Sequence, residues 1–217
     1  MPIAQPTRRI VAFAAAFAGL VGLAAPGLAV STVGATTLTD DQRAAVNRLS
    51  QTINAISTMQ GRFVQIGPSG ERAEGFFVLH RPGRLLFRYL PPMRLQIIAD
   101  GQGLLVRDDS AGTHDIYPIG QTPLRFLLEG NIDLLREGHV LGVSASEEAV
   151  TILIEETSAA GTGRVAISTD PETGEIREWT VTDPQGLDTT VALFEIEYGK
   201  PTDPNWFYID HAFRPER

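Results

Sequence analysis

The sequence contains no cysteine. Disulfides, thiol catalysis and cysteine-ligated zinc are therefore excluded, as is a lipid anchor attached through an N-terminal cysteine. Recognisable catalytic patterns are also missing. The four histidines, His80, His114, His139 and His211, form no helical pair and no H-E-x-x-H spacing. There is no G-x-S-x-G, P-loop or G-x-G-x-x-G. Gly101-Gln102-Gly103 lacks the third glycine and a following helix, and reads as a hairpin turn. Asp108-Asp109 reads as a solvated turn rather than a calcium site, and Glu147-Glu148 and Glu155-Glu156 as strand-end or loop charges. Catalytic groups that converge from distant positions escape such a search. The expectation is nonetheless a protein that is not an enzyme and uses no cofactor or metal.

Charge is absent from most of the first 39 residues, where Arg8 and Arg9 stand alone ahead of Asp40. An apolar run rich in Ala, Leu, Val and Gly follows from Ile10 to Val30. A positive start, a long apolar stretch and the small-x-small pattern Gly27-Leu28-Ala29 make a secretory signal peptide over residues 1–29, cleaved near Ala29. Val33-Gly34-Ala35 offers a second cut site. The run is long enough to span a bilayer, so a retained anchor is the alternative. The Ala and Gly content and the cleavage-like end favour removal, leaving no permanent membrane anchor. Thr7-Arg8-Arg9 leaves twin-arginine export open beside the ordinary route. Removing residues 1–29 takes away two arginines and no acid, leaving 188 residues with 16 basic against 26 acidic side chains. A surface near −10 is a poor binder of nucleic acid and is repelled by anionic lipid headgroups. Export without a lipidated cysteine points to a bacterial periplasm or to secretion.

Residues 30–38 are small and polar, a flexible leader. One domain is expected over residues 39–217. Thr39 and Gln42 form a capping box, with Asp40 and Asp41 in the first turn. Val46, Leu49, Ile53 and Ile56 then recur at helical spacing. After Gly61 the period becomes strand-like. Short apolar runs are predicted as strands at residues 62–66, 75–81, 85–89, 95–99, 104–107 and 114–119, with turns at Gly67-Pro68-Ser69-Gly70, Pro82-Gly83 and Pro91-Pro92. Thr122 and Pro123 predict a short helix running to about Leu135, with a break at Gly130. Strands resume at residues 140–144, 149–155, 164–169, 176–182 and 189–198. The pattern is mainly β (α+β), with about 10–11 antiparallel strands and two helical insertions. Sheets of this size curl, and a curled sheet has a concave face that helices can cover.

Met59 to Gly101 resembles the bacterial outer-membrane lipoprotein carrier family of the LolA type. Four pieces carry the likeness in family order. They are Gly61-Arg62-Phe63-Val64-Gln65, the run Gly75 to Arg84 containing Arg81-Pro82-Gly83, Phe87-Arg88-Tyr89 with Pro91-Pro92, and Ile97-Ile98-Ala99-Asp100-Gly101. Thr122-Pro123-Leu124 with Leu127-Leu128 is a fifth. The likeness implies an unclosed antiparallel β-barrel with lid helices over an apolar cavity. It also implies a periplasmic, monomeric carrier of acylated lipoproteins. Such a carrier takes cargo from an ATP-driven release complex in the inner membrane and delivers it to an outer-membrane receptor or to the outer membrane itself. A free-lipid or glycolipid transporter and a lipoprotein-sensing regulator are alternatives on the same scaffold, the latter usually carrying a second domain.

The resemblance also assigns residues. Arg81 matches the family arginine that reaches inward and bonds lid backbone, holding the lid shut. Strand alternation then turns Phe77 and Leu79 inward, with Leu85, Phe87 and Tyr89 across the turn, and leaves Arg84 and Arg88 outside. With Ile97 of the next strand, Val46, Leu49, Ile53 and Ile56 of the first helix, and Leu124, Leu127 and Leu128 of the lid, these side chains are the candidate cavity lining. Plain core packing is the competing use of each. The C-terminal run Asn205 to Asp210 is expected as an aromatic strand. It lacks the Pro-Pro-x-Gly loop common in the family.

Overall fold

The computed structural model describes residues 38–123, 125–137, 139–158 and 161–211. The expected signal peptide, nearly all of the leader, and Leu124 lie outside them. Leu38 packs against the core.

The first helix, α1 (Asp40–Ala55), begins as its sequence predicts. Gln42 N–H donates to the Thr39 hydroxyl (3.2 Å) and Thr39 N–H to the Gln42 side-chain oxygen (2.9 Å), satisfying two helix-end amides reciprocally. Val46, Leu49 and Ile53 are buried on one face, and Ile56 is the extended C-cap. Eleven strands follow: β1 (Thr58–Ile66), β2 (Arg72–His80), β3 (Arg84–Tyr89), β4 (Leu95–Asp100), β5 (Gly103–Asp108), β6 (Thr113–Pro118), β7 (His139–Ala145), β8 (Val150–Ser158), β9 (Gly161–Thr169), β10 (Ile176–Thr182) and β11 (Asp188–Tyr198). They form one antiparallel sheet in the order β6-β5-β4-β3-β2-β1-β11-β10-β9-β8-β7. Its edge strands β6 and β7 do not pair, so the barrel stays open between them.

Two sequence expectations need correction near the middle of the sheet and between its halves. Gly61 is not the boundary between helix and strand. The strand begins at Thr58, and Gly61 lies inside it. Opposite Gly61, β11 carries one extra residue, with Glu195 at φ 53°. A Cβ at Gly61 would stand 2.9 Å from the Phe194 carbonyl oxygen and 3.0 Å from the Phe77 ring, so the bulge and the ring close over a position without a side chain. The middle helix breaks at Gly130 as expected, but it begins at Arg125 rather than Pro123. It is two single turns, α2 (Arg125–Leu128) and α3 (Leu134–Glu137), parted across Gly130. The Thr122 hydroxyl donates back to the Ile119 carbonyl (3.0 Å) at the end of a 3₁₀ turn, Ile119–Gln121.

Alternation along the strands separates two faces. The inner side carries one large cluster that includes α1, both lid turns and Phe63, Phe77, Leu79, Leu85, Phe87 and Tyr89. On the outer side Arg84 and Arg88 are exposed as expected. Leu86, however, is only 6% exposed, because a second, smaller cluster sits there: Leu86, Ile98 and Leu105 under Phe207 and Ile209. The C-terminal run is thus not a strand. It forms a 3₁₀ turn, Pro204–Phe207, and an extended strap laid across the back of the sheet. The strap is pinned by His80 to Thr202 (2.6 Å) and by His211 to Asp100 (2.6 Å). Alternating apolar residues look like a strand in sequence, but here they alternate between the sheet and water: Tyr208 is 70% exposed between buried Phe207 and Ile209.

Gly75 tests the inner face. It pairs with Phe63 on one side and Tyr89 on the other, and a Cβ there would stand 2.3 Å from the Arg88 carbonyl oxygen and 2.5 Å from the Phe63 ring. Gly75→Ala should lower stability by about 3 kcal/mol, read as a lower urea midpoint at unchanged slope. An unchanged midpoint would mean that the Phe63 ring is free to move away.

Candidate functional site: a latched apolar interior

Twelve of the thirteen expected lining residues come together. Val46, Leu49, Ile53, Ile56, Phe77, Leu79, Leu85, Phe87, Tyr89, Ile97, Leu127 and Leu128 are all buried members of the inner cluster, none above 7% exposed. Leu124 lies outside the described residues. Their side chains pack on one another. A cleft of about 50 Å³ beside α1, lined by Arg48, Leu49, Thr169 and Gly174 among others, is too small for an acyl chain.

The sequence reading named Phe77, Phe87 and Tyr89 but missed the other aromatic members of this interior, Phe63, Trp179 and Phe126. Gly75 admits the Phe63 ring, which meets Phe87 (4.8 Å between centroids) and Tyr89 (4.9 Å), both edge-on. Phe87 meets Trp179 of β10 at 6.3 Å, and Trp179 meets Phe126 of α2 at 6.2 Å. A chain of perpendicular rings therefore runs from Tyr89 to the lid. Burial raises the Tyr89 pKa, so the phenol stays neutral and donates to the Gln65 side-chain oxygen (2.5 Å). Phe63 belonged to a recognisable motif, but Trp179 and Phe126 stand far apart in sequence and only the fold joins them.

Arg81 is 7% exposed, one residue past the end of β2. Its guanidinium donates to the Ile53 carbonyl in the last turn of α1 and to the Glu129 carbonyl after α2. The Asn54 side-chain oxygen lies 3.4 Å away. Burial lowers the Arg81 pKa, yet a guanidinium remains charged under ordinary conditions. α1 has no basic residue in its last turn, so Arg81 supplies the positive charge that a helix C-terminus favours.

Further contacts tie the lid down. Gly83 N–H donates to the Leu128 carbonyl (2.8 Å). Asn54 pairs with the Ile132 backbone in both directions, donating to its carbonyl (2.8 Å) and accepting from its N–H (2.9 Å). Ser50 accepts from Leu134 N–H (3.2 Å). Arg125 of α2 bonds Glu156 of β8 (2.8 Å), so Glu156 is more than a strand-end charge. Asn54 and Ser50 were invisible as lid residues because a polar residue on an amphipathic helix ordinarily faces water.

An open antiparallel barrel with a few helical turns is the architecture the resemblance implied. The family model for the outer membrane lipoprotein carrier protein LolA matches residues 54–210. The chain belongs to the LolA family. An outer-membrane lipoprotein carrier protein of Ralstonia nicotianae (strain ATCC BAA-1114 / GMI1000) is 36% identical over 77 residues. That match takes in 31% of this LolA-family chain and about a third, 36%, of the relative's length. Among solved structures, a LolA superfamily protein from Nitrosomonas europaea is 9% identical with a TM-score of 0.45, covering 78% of this chain and 98% of that one. The MucA/MucB complex of Pseudomonas aeruginosa gives 14% and 0.42, covering 78% and 61%. The family assignment rests on the match over residues 54–210.

The latch makes a local prediction. Asn54→Ala removes both side-chain bonds to Ile132, whose side chain is 4% exposed. The lid should open more easily by about 2 kcal/mol, so the Ile132 and Leu134 amides should exchange hydrogen about 30-fold faster. Unchanged exchange would show that Asn54 does not hold this LolA-family lid.

Proposed function

We propose that this LolA-family protein is a periplasmic carrier that shields the acyl chains of lipoproteins and moves them from an inner-membrane, ATP-driven release complex to the outer membrane or a receptor in it. On this reading it works as a monomer, free of both membranes and without catalysis. The observation that carries the reading is the lid itself: an apolar interior closed by hydrogen bonds centred on Arg81.

The magnitudes are compatible with opening by cargo. A handful of lid bonds contribute about 1 kcal/mol net each. An acyl chain of about 15 methylenes leaving water gains about 12 kcal/mol, enough to break them even after some interior contacts are exchanged. All of the Arg81 partners are uncharged oxygens. Breaking the Arg81 bonds therefore strands no buried carboxylate, which would cost far more; the one charged tie of the lid, Arg125 to Glu156, keeps 13% of the Glu156 side chain exposed. Apolar contact without salt bridges also lets cargo leave. Among the described residues no helix is long and apolar enough to cross a membrane.

Purified protein should bind a palmitoylated peptide in competition with a hydrophobic fluorophore. If no acylated peptide displaces the dye, the carrier reading is wrong. Arg81→Leu should shift the lid toward open, so that the variant co-purifies with more bound acyl cargo and passes it to acceptor membranes less readily. Transfer equal to the parent's would remove Arg81 from the latch role. Mass spectrometry of co-purified ligand separates a lipoprotein carrier from a carrier of free lipid.

A further inference from the structure

Most buried polar side chains of the inner face satisfy one another or the backbone. The Tyr89 hydroxyl donates to Gln65, the Ser50 hydroxyl to the Val46 carbonyl (3.1 Å), and the Thr169 hydroxyl to the Val150 carbonyl (3.2 Å). Among the described residues two interior donors have no acceptor: Arg81 Nε, whose other nitrogens hold the lid, and the indole Nε1 of Trp179. Trp179 is 1% exposed. Its strand neighbours are Ile167 and Val191, and its ring neighbours are Phe87 and Phe126. A buried tryptophan ordinarily finds a partner for this N–H.

The position gives the orphan donor a use. Phe126 belongs to the lid turn that Glu129 and Leu128 fasten to Arg81 and Gly83. Of the rings in the aromatic chain, Trp179 is the sheet residue that touches the lid, so lifting α2 uncovers it. An acyl chain is saturated hydrocarbon except at its carbonyl, and that carbonyl loses its water when the chain enters. Dispersion against Leu and Phe cannot tell an acyl chain from a plain alkyl chain; a hydrogen-bond donor at the carbonyl can. An indole N–H donates but cannot accept, and it adds no charge that would hold cargo too tightly.

We propose that Trp179 Nε1–H, uncovered when Phe126 moves with the lid, donates to the acyl carbonyl of the bound chain and makes the interior selective for acyl over alkyl ligands. The inference deepens the carrier reading and rests on it.

The test uses the full chain carrying Trp206→Phe, which leaves Trp179 as the single tryptophan of the two in the sequence. Three short peptides of one sequence are compared by dye displacement, bearing a palmitoyl ester, a palmitoyl amide or a hexadecyl ether. The ester or the amide should bind about tenfold tighter than the ether, and Trp179→Phe should bring that ratio close to one. The arm that gains more, ester or amide, shows which carbonyl is read. Independently of whether Trp179→Phe folds, the indole Nε1–H proton resonance of the single-tryptophan protein should move downfield with the carbonyl ligand and not with the ether. Equal binding of all three peptides, an unchanged ratio in the variant, or an indole resonance that ignores the carbonyl would each overturn the proposal. If none of the three binds, the carrier reading itself fails and this inference with it.

Discussion

A single buried guanidinium joins three parts of this molecule: the sheet, the first helix and the helical turns between its halves. Arg81 stands just past the end of β2 and reaches the last turn of α1 and the loop after α2. It does for α1 what a basic residue in the helix's own last turn would otherwise do. Because it comes from another element, the interaction that stabilises the helix also fixes the helix to the sheet and the lid to both. The fork geometry of arginine makes this possible; an ammonium group of similar length has no planar pair of donors to span two carbonyls. Asn54, next to the Arg81 acceptor Ile53, extends the same arrangement by pairing with Ile132 as a strand neighbour would.

The bonds that close the interior are of a kind that can be broken. Their acceptors are backbone carbonyls, one side-chain amide and the Ser50 hydroxyl, and the charged tie between Arg125 and Glu156 lies nearer the surface, with 29% and 13% of the side chains exposed. The interior beneath offers shape and dispersion, with a ring system extending from Tyr89 to Phe126. The opposite face of the sheet is sealed in another way. Phe207 and Ile209 cover Leu86, Ile98 and Leu105, so the back of β3, β4 and β5 is part of a core of its own and the strands carry apolar residues on both sides there.

Much of this was legible in the amino-acid order. The capping box at Thr39, the apolar stripe of α1, eleven strands and most of their turns follow from local chemistry acting over a few residues. The inward set Phe77, Leu79, Leu85, Phe87 and Tyr89 follows from strand alternation once one of them is placed. The errors arose where a residue's neighbours come from elsewhere in the chain. Gly61 looks like a helix stop until the β11 bulge and the Phe77 ring are seen around it. Residues 205–210 look like a strand until they are seen lying on the back of a sheet.

By itself, then, the sequence determined the kind of object this is: a cysteine-free, acidic, β-rich domain with an amphipathic first helix and an arginine ahead of Pro82 that resembles a family latch. Hydrophobic period, turn chemistry and helix capping are short-range properties, and they are written locally. Only the tertiary structure decided what the latch holds, that Asn54 and Ser50 share the task, and that Trp179 meets the lid. Those facts depend on contacts between residues 27 to 84 positions apart for the latch and on the sheet order that brings β10 under α2. No local pattern encodes which distant carbonyl a buried donor will find, because that is set by how the strands close around it.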